Sequence, residues 1–106
     1  MSPRPLGYAT LAVLKALADG HRYGFDVVDH TGLPSGTVYP ALSSLSRRQL
    51  VESDWEESRV AHADGRPRRR YYRLTAAGRD VLRESLARLD EMGLGAARAA
   101  RAGTGE

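Results

Sequence analysis

The apolar residues of this chain recur at helical spacing over several stretches and alternate strictly in one place. From Leu6 to Ala18, "LGYATLAVLKALA", the residues Leu6, Val13, Leu14 and Leu17 mark one stripe of a helix, and Asp19-Gly20 is a stop signal at its end. Leu11, Ala12, Ala16 and Ala18 leave little polar surface on its other sides. A helix that is apolar nearly all round is buried on more than one side. In so small a chain the second cover is expected to be another subunit, with Leu11 in that contact.

Tyr23 to Thr31, "YGFDVVDHT", predicts a second, short helix with Phe25 and Val28 inward and Val27 as a further candidate. Gly32 suits a left-handed turn, and Leu33-Pro34 leads to Ser35. The Ser35 hydroxyl is expected to cap a third helix by accepting from the Val38 N–H. Val38, Leu42 and Leu45 then recur as its buried stripe. Pro40 falls inside this helix, at the fifth position, where it loses one backbone bond. Its ring crowds the carbonyl of Gly36, and glycine has the freedom to turn that carbonyl aside.

Leu50 to Ser58 alternates as a strand, with Val51, Ser53 and Trp55 on one face and Glu52, Asp54 and Glu56 on the other. "RRYYRL", from Arg69 to Leu74, reads as its partner. Between them lies a polar loop with an Asp64-Gly65 turn signal and a stiff Arg66-Pro67-Arg68 tip. Thr75 is expected to cap a last helix with the stripe Leu82, Leu86, Leu89 and Met92, before Gly93 and Gly95 interrupt it. "AARAARAGTGE" is open between helix and frayed tail.

At 106 residues the chain is one domain, or one domain with an appendage. It contains no cysteine, which excludes disulfides, thiol catalysis and cysteine zinc sites. No apolar run is long enough to span a bilayer and no signal peptide is visible. Residues 1–5 read as a loose leader, and a cytoplasmic setting is the default expectation. The net charge of +3 is modest but unevenly placed. Asp54, Glu56 and Glu57 lie together, and Arg59, Arg66, Arg68, Arg69, Arg70 and Arg73 follow with only Asp64 against them. Every basic residue except Lys15 is arginine, so abundance carries little weight and clustering carries more. A local basic cluster is the electrostatic footprint of a nucleic-acid binder.

Helix, helix, tight turn, helix and a hairpin with a basic tip make a winged helix-turn-helix: a mainly α chain with a small β-hairpin (α+β). The expected division is a winged helix-turn-helix DNA-binding domain over residues 1–75 and a C-terminal dimerisation helix and tail over residues 76–106. In such a motif the second helix enters the major groove of double-stranded DNA with its N-terminal residues at base edges. Here those residues are Ser35, Gly36 and Thr37, small and hydroxylated, at the positive end of a helix dipole. They allow close approach to a polymer that already supplies the charge. Tyr39 and Pro40 are placed to touch thymine methyls or sugars, or else to pack against the wing. Arg66 and Arg68 suit an adjacent minor groove, or else form a solvated charge run.

These stretches resemble the PadR family of transcriptional regulators. "YGFDVV", "LPSGTVYPALSSL", "LVESDWEES" and "GRPRRRYYRLTAAGR" carry the resemblance from Tyr23 to Arg79, in order and at the family's spacing. The resemblance implies a homodimer whose C-terminal helix packs on the partner's N-terminal helix. It also implies repression of nearby genes, relieved in some members by phenolic or other aromatic and hydrophobic effectors. By position it assigns the DNA face to Ser35, Gly36, Thr37, Tyr39 and Pro40 with the wing arginines Arg66, Arg68 and Arg69, and sets the backbone at Tyr23-Gly24 near phosphate. Two departures stand out. Gln49 occupies the position before the first wing strand where the family has glycine, and the C-terminal portion is short, as in the compact form with a single C-terminal helix.

Other residues admit a plainer reading beside a functional one. Trp55 is either an effector contact or wing core. Asp26 and His30, four apart, are read as a surface ion pair rather than a metal site, since His21 and His62 complete no ligand set. Tyr71 and Tyr72 point to opposite faces. The stripe Leu82, Leu86, Leu89 and Met92 either folds back within the chain or pairs two subunits, and the apolar first helix favours pairing. An inverted-repeat operator follows from two-fold symmetry. No cofactor and no membrane partner is expected. The alternative function is a winged-helix protein-interaction module without specific DNA binding, supported only by the acidic stretch from Asp54 to Glu57. An enzyme is disfavoured: there is no coherent nucleophile–base set, and "GLPSG" has neither the spacing nor the lysine of a phosphate loop.

Overall fold

Three helices build the core. The computed structural model describes residues 6–93. Its elements are α1 (Tyr8–Ala18), α2 (Gly24–Thr31), α3 (Ser35–Arg47), β1 (Val51–Trp55), α4 (Ser58–Ala63), β2 (Arg70–Leu74) and α5 (Ala76–Glu91). α1 packs against α2, α3 and α5, and α2 packs on α3. Val13, Leu14, Val27, Val38, Leu42 and Leu45 are the large side chains sealed completely between them. β1 and β2 form an antiparallel hairpin running from Val51 opposite Leu74 to Trp55 opposite Arg70. Tyr23 bridges Tyr71 on the free edge of β2, and the Tyr72 N–H donates to the Arg22 carbonyl at 2.9 Å. This is a mostly helical winged helix-turn-helix, as the sequence pattern predicts. The early segment at residues 1–5 and the stretch 94–106 lie outside the described residues.

The inward face of α2 differs from expectation. Val27 is fully buried and Val28 half-buried, while Phe25 is 47% exposed. The helix begins at Gly24, which turns Val27 rather than Phe25 toward α1 and α3. The turn that follows is braced by a hydroxyl. Thr31 Oγ1 donates to the Val27 carbonyl at 2.7 Å and accepts from the Leu33 N–H at 3.1 Å, beside Gly32 at φ 73°.

Pro34, not Ser35, is the N-cap of α3, and the expected hydroxyl cap is absent. The Pro34 carbonyl accepts instead from Thr37 N–H and Val38 N–H at 2.9 and 3.0 Å. Helix starts one residue early because Pro34, at φ −64° and ψ 152°, already has a capping conformation. Ser35 is thereby released to the surface. The stripe Val38, Leu42 and Leu45 is buried as predicted, with Ala41 added. α3 remains one helix through Pro40.

The connection between the strands is not a plain loop. Its first half is α4, anchored by buried Ala61. Asp64-Gly65 ends that helix rather than turning a hairpin. Gly65, at φ 66°, donates to His62, and Arg66 N–H donates to the Ala61 carbonyl. A single turn and a half with one buried alanine leaves too little periodicity to see in sequence.

Thr75 caps α5 as expected, accepting from Gly78 N–H at 3.0 Å and donating to the Gln49 carbonyl at 2.8 Å. The buried line of α5 runs through Gly78, Leu82 and Ser85, not through Leu82, Leu86 and Leu89. The first half of the helix folds back on α1, so Leu82 belongs to the core of its own chain. Leu89 is half-buried, Leu86 is exposed and Met92 is 75% exposed. Among the described residues no helix is long and apolar enough to cross a membrane.

Candidate nucleic-acid interface

The outer face of α3 is bare of charge from Ser35 to Ser46. Ser35, Gly36, Tyr39, Pro40 and Ser43 are exposed on it, and Thr37 is half-buried at its edge. The same helix turns Val38, Ala41, Leu42 and Leu45 inward, so one amphipathic element fixes the direction of every outward group. Tyr39 is not held by the wing alone: its ring lies over the backbone of Gly24 at the head of α2. A side chain at Gly24 would occupy the space of that ring, so the absence of a Cβ there is what lets Tyr39 lean across α2.

The wing beside α3 is organised around one carboxylate. Glu56 is only 8% exposed. Both its oxygens accept from Arg66, one at 2.9 Å, and Arg69 donates to it at 3.3 Å. Its backbone is bound as well: Glu56 N–H donates to the Arg69 carbonyl at 2.7 Å, and Arg68 Nε donates to the Glu56 carbonyl at 2.8 Å. Bidentate Arg66 holds the Glu56 carboxyl down at about 2, with Arg69 adding to the effect and burial opposing it. Arg69 continues inward, its guanidinium 4.1 Å from the centroid of the Tyr23 ring and 5.7 Å from that of Phe25. Tyr23 and Phe25 are themselves stacked at 5.8 Å. The exposed Phe25 thus has a role that burial did not predict: it floors a cation–π contact between wing and α2.

The six clustered arginines therefore divide. Arg66 also reaches Asp64, Arg73 pairs with Glu52 and Arg59 with Glu57. Arg66, expected at the outer tip, is folded back onto Glu56 because a nearly buried carboxylate needs a bidentate partner. Arg68 and Arg70 make no ion pair among the described residues. They flank Trp55, at 5.9 and 5.6 Å from its ring. Trp55 is half-exposed rather than wing core. From the sequence, Arg70 and Glu56 stood only as members of a basic and an acidic run, and Gly24 only as backbone near phosphate; none was expected to organise the wing or to seat Tyr39. The alternation that put Glu56 on the charged face gave no sign of its burial.

Tyr71 and Tyr72 are both half-buried, and Tyr72 packs against the core. Burial pushes the Tyr72 hydroxyl above its ordinary value, so it stays protonated. The proposed pairing of Asp26 with His30 is not seen among the described residues; His30 stacks on His21 instead, ring centroids 4.0 Å apart. No cluster of three or more metal-ligating side chains occurs among them either.

The family model for the transcriptional regulator PadR-like family matches residues 13–84. A PadR family transcription regulator from hypervirulent Clostridium difficile superposes with a TM-score of 0.71 at 24% identity, over 81% of this chain and 91% of that one. A PadR-like transcription factor from Bacteroides fragilis gives 0.69 at 25% identity, over 85% and 87%. BpsR of Bordetella bronchiseptica, whose DNA binding is regulated by 6-hydroxynicotinic acid, gives 0.70 at 25% identity, over 90% and 67%. Comparison with curated proteins finds no match. The family match covers most of the chain, including the helix-turn-helix, the wing and the start of α5, and the chain belongs to the PadR-like family of transcriptional regulators.

Proposed function

We propose that the protein binds a specific operator in double-stranded DNA as a homodimer and represses transcription until a small aromatic or hydrophobic effector releases it. The observation that carries this reading is the uncharged N-terminal face of α3 beside a wing bearing two cations without acidic partners. Ser35, Gly36 and Thr37 enter the major groove, with Tyr39 and Pro40 making apolar contacts there. Arg68 and Arg70 bind phosphate or the neighbouring minor groove. Arg66 and Arg69 act through Glu56 by holding the wing, and Tyr23 sits at the phosphate side of α2. Affinity then rests on few charges, and specificity on the helix face.

Dimerisation uses the apolar surface left open by α1 and the distal half of α5: Tyr8, Leu11, Leu86, Leu89 and Met92. The exposure of Tyr8, Leu86 and Met92 supports it. Two-fold symmetry then sets two copies of α3 about one DNA turn apart, over an inverted repeat. The regulation of BpsR by 6-hydroxynicotinic acid supports an aromatic effector.

The test is fluorescence anisotropy on the DNA upstream of the protein's own gene against a scrambled duplex, at two salt concentrations. Tight binding that survives higher salt only on the native sequence is expected. Salt-insensitive association with a protein and no DNA binding would turn the reading to an interaction module. That alternative is weakened by Glu56, whose engagement with Arg66 and Arg69 breaks up the acidic stretch as a docking surface.

A further inference from the structure

One face of the hairpin is turned to the core at its base and to solvent at its far end. Val51 stands opposite Leu74, Ser53 opposite Tyr72 and Trp55 opposite Arg70, and directly opposed residues of an antiparallel pair share a face. Val51 and Leu74 are buried and Tyr72 packs against the core, whereas Trp55 is half-exposed and Arg70 exposed. Arg70 and Tyr72 also border a recess of about 180 Å3 together with Tyr39 of α3 and Gly24 of α2. The Trp55 ring, 5.6 Å from the Arg70 guanidinium, thus lies on a surface continuous with the outer face of α3.

Two cations set the chemistry around that ring. Arg68 and Arg70 stand beside it, and each is held by a neutral acceptor. Arg68 Nε donates to the Glu56 carbonyl at 2.8 Å, and Arg70 donates to Ser53 Oγ at 3.0 and 2.7 Å. Neither has a carboxylate partner among the described residues, so their charge is left for something else. An apolar ring between two such cations is matched by a surface on which apolar and anionic groups alternate. The backbone of DNA is one: the C–H groups of each deoxyribose lie between two phosphates. A base fits less well, because its faces are stacked in a duplex and a side chain reaches them only by unstacking the step. We infer that Trp55 lays its indole against a deoxyribose of the bound duplex, with Arg68 and Arg70 on the phosphates to either side. Contacts of this kind fix orientation and carry no sequence information. The inference rests on the proposed reading of the chain as a DNA-binding regulator.

Trp55 is the only tryptophan of the chain, so its emission reads the contact directly. The full chain is titrated with the DNA upstream of its own gene and with a scrambled duplex, and quenching of the indole by acrylamide is followed. Saturation with either duplex should remove that quenching. Trp55→Ala should weaken both duplexes by about tenfold, the effect of no longer covering a half-exposed ring. Its dependence of affinity on salt should match the wild type, because the lost contact is uncharged. Arg68→Ala should instead lower the salt slope by about one per subunit, and Trp55→Phe should recover most of the affinity. If DNA binds while acrylamide still reaches the indole, or if Trp55→Ala lowers the salt slope as Arg68→Ala does, the inference falls and the regulator reading stands. Lost discrimination between the two duplexes in Trp55→Ala would mean that the ring reads bases, and overturns the sugar contact. Quenching lost on concentrating the chain without DNA would assign the ring to a contact between copies, again against the inference. No DNA binding by the wild type removes both readings.

Discussion

The guanidinium of Arg69 lies over the ring of Tyr23, 4.1 Å from its centroid, while the same group donates to Glu56 at 3.3 Å. One side chain thus joins the far end of the hairpin to the head of α2, and Tyr39 of α3 leans on the neighbouring Gly24. The wing and α3 are linked through α2 in addition to the direct packing of α3 on β1, without an ion pair between them among the described residues. Glu56→Gln keeps the shape and removes the charge that gathers Arg66 and Arg69. Operator affinity should fall by on the order of tenfold, the scale of one lost charge-assisted hydrogen-bond set. Anisotropy at fixed salt measures it, and unchanged affinity would show that the wing is placed by other contacts.

The same carboxylate gives the wing an acid limit. The Glu56 carboxyl titrates at about 2 in the fold against an ordinary 4.5. A group with a lowered folded pKa contributes stability that is fully present above its ordinary pKa and is lost as pH falls toward the folded value. The wing should therefore loosen between 4.5 and about 2. Trp55, the chain's one tryptophan, lies between Arg68 and Arg70 and reports it. Its fluorescence should change across that window in the wild type and be flat across it in Glu56→Gln. A wild-type signal that stays constant through the window would count against Glu56 as the wing's organiser.

Gly24→Ala separates recognition from stability. The new methyl meets the Tyr39 ring, which is the movable end of a side chain, so the clash is relieved by swinging the ring outward. Alanine also favours helix over glycine by up to about 1 kcal/mol, which offsets the displacement. Melting temperature should barely move, while preference for operator over random DNA falls toward that of Tyr39→Ala. If Gly24→Ala discriminates as well as the wild type, the position of Tyr39 over α2 does not matter for DNA.

Gly78→Ala should behave oppositely. Its methyl would meet the Leu50 carbonyl, a backbone group fixed by accepting from Thr75 N–H at 3.1 Å. Neither partner has a rotamer to escape into, so α5 must back away from the hairpin. Overpacking of this kind costs about 1–3 kcal/mol, readable by urea unfolding. A stability equal to wild type would mean that α5 docks less tightly than its cap suggests.

Much of this fold was legible in the chain. The stripe of α3, the pairing of the two strands, the Thr75 cap and the order of every element but α4 followed from periodicity and capping chemistry alone, while the expected strand from Leu50 to Ser58 ends at Trp55. What was not legible depended on partners distant in sequence. Phe25 and Trp55 are large and apolar, and nothing local says that arginines rather than leucines will cover them. Glu56 reads as one of a surface row until Arg66 and Arg69 close on it, and Arg66 reads as a free tip until Glu56 needs it. The line of α5 was misplaced because Gly78 and Ser85 are inward yet carry no hydrophobic signal. A stripe drawn through leucines rotated the helix toward Leu86 and Leu89.

The rotation of α5 bears on assembly. Leu82→Glu would place a charge in the core and should unfold the chain, so it cannot test dimerisation. Leu89→Glu with Met92→Glu acts on the half-exposed and exposed end of the helix. Sedimentation should then report a folded monomer, with operator affinity reduced because two half-sites are no longer bound together. A dimer that persists in this variant would place the interface elsewhere.

Gln49 holds a backbone conformation suited to glycine. It is the only described non-glycine residue at positive φ, 59°, and it stands just past α3. The Gln49 N–H donates to the Ser46 carbonyl at 3.0 Å and the Leu50 N–H to Leu45 at 3.0 Å. These are the paired bonds of a Schellman stop, whose left-handed position glycine fills without Cβ strain. The Gln49 side chain is exposed, while its carbonyl takes the Thr75 hydroxyl that begins α5. Only the backbone is in use. Gln49→Gly should therefore stabilise the fold by roughly 0.5–1 kcal/mol, less whatever the freer unfolded chain takes back. Thermal melting should rise while operator affinity stays level, because no proposed DNA contact moves. A melting temperature that falls instead would mean the glutamine side chain contributes more at this corner than its left-handed backbone costs.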